Sequence, residues 1–127
     1  MDSHLIPLLR LGDRAAIGAA LAASVRFHSP VDDYSGRADV AHLLSLIGPV
    51  LGDLRPTREL SDGPAITTFI TARIEGQALD GVLDERLDER GQVVDATLLL
   101  RPLGALRVAV AAMRDGLGQD PLPSQRA

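Results

Sequence analysis

The chain has no cysteine, no lysine and no tryptophan, with two phenylalanines and one tyrosine in 127 residues. Without cysteine there can be no disulfide, thiolate metal site or cysteine nucleophile, and the composition is the one expected of a cytoplasmic protein. Aromatic side chains at 2% are too few for a base-stacking surface. All 13 basic residues are arginine, dispersed with no run longer than a pair, and the net charge is −4. Phosphate binding needs a clustered basic face, so nucleic acid is excluded as a partner. No apolar run approaches the roughly 20 residues of a membrane-spanning helix, and no secretory leader is expected at the N-terminus.

What is present is an ordinary globular chain, 46% hydrophobic and 24% charged, of a size for one domain with one core. We expect that domain over residues 1–118 and a frayed polar tail over 119–127. Spacing predicts a short helix over about 3–11, a break at Gly12-Asp13, and a second helix over about 14–24 with Asp13 as its N-cap. Val25–Ser29 reads as a strand stopped by Pro30, and Val31–Gly36 as a loop. A helix over 38–51 follows, which Pro49 should kink or end early.

After Pro56 the period changes from helical to alternating. Arg58–Leu60 reads as a short strand, then Ala65–Ile74, with Ile66, Thr68, Ile70, Ala72 and Ile74 on one face. Glu75-Gly76 and Asp88–Gly91 are hairpin signals separating strands at 78–87 and 92–100. Leu103, Leu106, Val110, Met113 and Leu117 mark an amphipathic last helix, expected to pack on the chain's own sheet. Helices followed by hairpin-linked strands give an α+β fold with an antiparallel sheet.

Several side chains carry chemical options. Leu83, Glu85 and Leu87 share one strand face, Val82, Asp84 and Arg86 the other. With the leucines inward, Glu85 lies in an apolar wall, where desolvation raises its pKa and suits it to acid–base work. The other reading puts that face at a dimer interface or mixed rim, with Glu85 paired or solvated. A one-residue bulge would bring Asp84 inward instead. Ser29 is expected to face inward with Phe27, either donating to a ligand or bonding nearby backbone, whereas His28 faces outward and cannot serve it as a base. Tyr34 is placed at a pocket lip with Asp32 and Asp33, where the few carboxylates do not make a metal site. His4 reads as a surface residue and His42 as a polar residue on its helix. Arg101 is expected to pair with Asp95 or Glu85, or to meet an anionic ligand.

Gly12-Asp13, Phe27-His28-Ser29-Pro30 with Gly36-Arg37, the hairpin at Gly91, and Arg101-Pro102-Leu103 occur in an order that resembles the NTF2-like superfamily, in its SnoaL-like and ketosteroid-isomerase-like branch. The likeness covers roughly residues 3–117. It implies a cone: a strongly curved antiparallel sheet wrapped around N-terminal helices, an internal pocket, a C-terminal helix, and homodimers formed through the outer sheet face. The isomerase members use an acidic base, a tyrosine and a protonated aspartic acid. Those positions fall on Ser29, Leu5 and Leu83, so steroid isomerisation is not expected.

The expectation is therefore a small, mostly apolar molecule held without metal or cofactor by Phe27, Ser29, Tyr34, Leu83, Glu85 and Leu87. Two alternatives remain. One is an isomerase, cyclase or epoxide-hydrolase type of enzyme with Glu85 or Asp84 as its catalytic carboxylate. The other is a non-catalytic protein-interaction module.

Overall fold

The computed structural model describes residues 2–126. Four α-helices lie against one curved, unclosed sheet of six strands in the order β2-β1-β6-β5-β4-β3. The helices are α1 (Ile6–Leu11), α2 (Arg14–Ala20), α3 (Arg37–Val50) and α4 (Leu103–Gln119). The strands are β1 (Leu21–His28), β2 (Asp33–Ser35), β3 (Gly52–Asp62), β4 (Ala65–Ile74), β5 (Gln77–Leu87) and β6 (Val93–Arg101). The α+β architecture is as expected.

Local chemistry accounts for most of the boundaries. Gly12 ends α1 with a left-handed φ of 65°. The Asp13 carboxylate accepts from the backbone N–H of Ala15 and Ala16 and caps α2. Glu75 and Gly76, at φ 47° and 78°, make a two-residue turn with both residues left-handed, the geometry that matches strand twist in a tight hairpin. On β4 the residues Ile66, Thr68, Ile70, Ala72 and Ile74 are all buried and face the helices.

Five features depart from the sequence reading. The second helix stops at Ala20 and β1 begins at Leu21, which pairs in parallel with Val93 of β6; after an irregular stretch the pairing resumes at Arg26 opposite Asp95. That parallel pair is the one exception to an otherwise antiparallel ladder. Within the supposed loop, Asp33–Ser35 forms the edge strand β2 against Arg26–His28. β3 begins at Gly52 rather than Arg58. It carries Pro56 on the edge strand at an irregular register, where the missing N–H costs no central ladder bond. Pro49 does not end α3 early: the helix runs one residue past it.

The tail also differs from expectation. Leu122 is 2% exposed and joins the core. Ser124 donates from both its N–H and its hydroxyl to Asp39 of α3. Asp120 meets Arg14 at 3.0 Å, Arg126 at 2.8 Å and buried His42 at 3.5 Å. These arginines hold the Asp120 carboxyl below the usual range, Arg14 most strongly.

Glycine is required at two close approaches. A Cβ on Gly48 of α3 would sit 2.0 Å from the Leu9 carbonyl oxygen of α1, and one on Gly81 of β5 would sit 1.9 Å from that of Leu99. The first lets α1 lie directly on α3 and the second lets β5 hug β6. With α1 docked in this way, one end of the space between sheet and helices is filled by Leu5, Ile6 and Leu9, all buried. The open space is therefore at the other end, toward β1, β6 and α4.

Candidate functional site

A cavity of about 240 Å³ occupies that end. Its sheet wall is Phe27 of β1 with Leu98 and Leu100 of β6. Leu43, Ile47 and Val50 of α3, with Leu51, form a second wall. Leu106, Ala109, Val110, Met113 and Leu117 of α4 form the third. The polar groups lie on the loop after β1 and on β2 (Ser29, Asp32, Tyr34) and near the end of α4 (Arg114).

The loop Ser29–Asp32 is held by its first residue. Ser29 Oγ accepts from the N–H of Val31 at 3.2 Å and of Asp32 at 3.0 Å, and donates to the Asp32 carbonyl at 2.9 Å. Both lone pairs and the proton are thereby committed, so the hydroxyl orders the lip rather than reaching into the cavity. His28 points outward and lies between Asp33 at 2.8 Å and Asp95 at 3.4 Å. The Asp33 hydrogen bond, reinforced by Asp95, pushes its pKa up. Tyr34 is half-buried in the cavity wall. Burial, and then the nearby Asp32 charge, raise its pKa and keep it a neutral phenol.

Glu85 shares a face with buried Leu83 and half-buried Leu87, that face turns inward, and Glu85 is fully buried. It does not line the cavity, however, and neither do Leu83 or Leu87. Ser3 Oγ donates to Glu85 Oε2 at 2.5 Å, and the N–H groups of His4 and Leu5 donate to Oε1 at 3.0 and 2.9 Å. The Ser3 N–H goes to Glu59 of β3 at 2.8 Å, which also accepts from Thr68 at 3.3 Å. The carboxylate is thus the anchor of the N-terminal segment. Burial pushes its pKa up, while the Ser3 hydroxyl and the two backbone N–H groups pull partly back. Asp84 is on the outer face and accepts from Thr67 Oγ1 at 2.6 Å.

Of the six expected lining residues, Phe27, Ser29 and Tyr34 come together, and Leu83, Glu85 and Leu87 do not. At Glu85 the reason is the segment Ser3–Leu5 before α1, whose hydroxyl and backbone N–H groups occupy the carboxylate. The sequence reading missed the walls contributed by α3 and α4. Their signal was the stripe Leu106, Val110, Met113 and Leu117, read as core packing; Leu103, its first member, is 60% exposed. Arg101 pairs with Asp80 at 3.0 Å, not with Asp95 or Glu85. Among the described residues no three His, Asp or Glu are grouped to hold a metal, and no helix is long and apolar enough to cross a membrane.

A sheet curled over helices, open at one end into an apolar cavity, defines a class of small α+β cone proteins. No protein-family model and no curated protein matches this chain. Solved structures do. An uncharacterized bacterial protein with a cystatin-like fold from Silicibacter pomeroyi superposes with a TM-score of 0.87 at 26% identity, over 91% of this chain and 84% of that one. A steroid delta-isomerase from Pseudomonas aeruginosa gives 0.83 at 26% identity, over 89% and 85%. An LEH-like epoxide hydrolase from M. tuberculosis gives 0.63 at 18% identity, over 90% and 86%, a likeness of fold alone. The chain has the NTF2-like, cystatin-like fold, with its likeness on the ketosteroid-isomerase side of that superfamily.

Proposed function

We propose that the protein binds a small, mostly apolar molecule in the cavity between β1, β6, α3 and α4, without metal or cofactor. The observation that carries this reading is the lining: apolar on three walls, with its ionisable groups, Asp32, Tyr34 and Arg114, confined to the β1–β2 loop, β2 and α4. Ligand pockets of roughly 300–1,000 Å³ are commonly apolar with a few polar groups that orient the ligand. At about 240 Å³ this one suits a ligand below drug size. The steroid delta-isomerase likeness does not bring isomerisation with it. The three isomerase positions carry Ser29, whose hydroxyl is consumed by its loop, and Leu5 and Leu83, which are buried apolar residues. Glu85 and Asp84 are engaged by Ser3 and Thr67, which argues against either as a general base in the cavity.

The test is to fill the cavity. Ala109 is buried in the α4 wall, and Ala109→Phe is expected to occupy the space. Titration with the fluorophore 1-anilinonaphthalene-8-sulfonate should give saturable binding by the parent protein. Binding should weaken by about tenfold or more in the variant, the equivalent of about 1.4 kcal/mol. Equal binding by a variant that retains its melting temperature overturns the proposal.

We further propose that the protein is a homodimer in the cytoplasm, paired through the outer sheet face. There Arg58, Phe69, Val82 and Leu99 lie in register across β3–β6, with Arg58 stacked on Phe69 at 4.7 Å. Leu60 is 50% and Leu99 58% exposed beside them, an apolar strip bordered by charge. Sedimentation should give a dimer that Leu99→Arg converts to a 13.4 kDa species. A parent protein that sediments only at 13.4 kDa rules the dimer out.

A further inference from the structure

The cavity has one cationic edge, and it is unpaired. Arg114, exposed near the end of α4, lines the cavity and makes no hydrogen bond or ion pair among the described residues. Most other arginines in this chain are engaged. Arg10, Arg37 and Arg73 donate to the carbonyls of Leu54, Leu21 and Gly76, Arg14, Arg55, Arg101 and Arg126 meet aspartates, and Arg58 stacks on Phe69. The one acid on the same cavity, Asp32, belongs to the β1–β2 loop. It accepts from the Asp33 N–H at 2.8 Å and forms no ion pair with Arg114. The guanidinium charge therefore stands unneutralised beside an apolar hole, in a chain whose net charge is −4.

Resting on the reading of this cavity as a ligand site, we propose that its ligand is a medium-chain monocarboxylic acid. The hydrocarbon chain occupies the cavity and the carboxylate sits at the rim against Arg114. The size follows from the volume: at about 240 Å³ the cavity lies just below the roughly 300 Å³ lower end of ligand pockets, room for a short hydrocarbon chain. The head group follows from charge complementarity. A planar guanidinium presents two parallel N–H donors to a carboxylate, and its exposure keeps the pair in contact with water, so it selects a head group rather than supplying most of the affinity. The affinity comes from the apolar walls.

The experiment compares three probes of equal chain length, octanoate, octanol and octylammonium, by calorimetric titration of the full-length protein. Octanoate is expected to bind about three- to tenfold tighter than octanol, the scale of a partly exposed ion pair. Arg114→Gln should remove that preference and leave octanol unchanged. Arg107→Gln, seven residues earlier on α4 and outside the cavity lining, should alter neither. The preference should also shrink between about 0.05 M and about 0.5 M salt, as an exposed pair requires. Octanol or octylammonium binding as tightly as octanoate overturns the carboxylate assignment while the apolar site stands. A preference for octanoate that survives Arg114→Gln overturns the placement of the carboxylate against Arg114. Failure of all three probes to bind removes the site itself.

Discussion

Replacing Glu85 with alanine is expected to lower the melting temperature by about 12–20 °C, from a loss of about 3–5 kcal/mol at about 4 °C per kcal/mol. Glu85 is 0% exposed and is the shared acceptor for the Ser3 hydroxyl and the N–H groups of His4 and Leu5. Removing it strands those donors away from water and opens a cavity beneath α1. Each stranded group costs about 1–3 kcal/mol. Glu85→Gln keeps a carbonyl acceptor for the two backbone donors, with its amide able to donate to Ser3 Oγ, so its cost should be small. That pair of variants separates loss of the acceptor from loss of the charge.

The charge has its own signature. Burial raises the Glu85 pKa in the folded protein above its ordinary value near 4.5. Between those two values the folded state holds more protons than the unfolded chain, so stability falls as pH rises through that window. The contribution is fully present below the unfolded pKa and is lost as pH rises through the folded one. Glu85→Gln does not titrate, so the stability gap between parent and Gln variant should narrow as pH increases, read by thermal melts at a series of pH values from about 4 upward. A gap that widens with pH would mean the native carboxylate is favoured by its hydrogen bonds over its desolvation.

Glu85 also marks the limit of what the sequence conveys. That it shares a face with Leu83 was legible, because strand alternation is local; whether that face turns inward or to an interface, or a bulge brings Asp84 inward instead, was not. The partner of Glu85 was not either, because Ser3 is 82 residues away and an isolated serine carries no sign of the strand it will meet. The same division holds elsewhere. The turns at Glu75-Gly76 and Gly91 were legible because positive φ is written into residue type. The start of β1 was not, because Leu21 is fixed by pairing with Val93 of β6, a contact far along the chain that the alanine-rich stretch itself does not announce. The apolar stripe of α4 was legible as a stripe. Whether it packs tightly or borders a hole depends on how far α1 fills the cone, and that depends on contacts such as Gly48 against Leu9.

Deleting residues 120–127 is the second change expected to be severe, and it runs against the polar, proline-containing composition that suggests a dispensable end. Leu122 is 2% exposed, and burying a leucine is worth about 1.5–3 kcal/mol. His42 is 1% exposed, and its Nε2 donates to the Asp120 carbonyl at 2.7 Å. With the tail gone, that buried nitrogen loses its acceptor, at a cost of about 1–3 kcal/mol. Arg14, which bridges Ser45 of α3 and Asp120, keeps only the first contact. Together these predict a loss of about 3–5 kcal/mol and a fall in Tm of about 12–20 °C. Leu122→Ala isolates the apolar share, which should account for about 2 kcal/mol. A truncated protein melting within about 2 °C of the parent, a shift of under about 1 kcal/mol, would show that the tail is a frayed end after all. The full effect would make residues 120–126 the clamp that joins α2, α3 and the end of α4, the helix whose inner face walls the cavity.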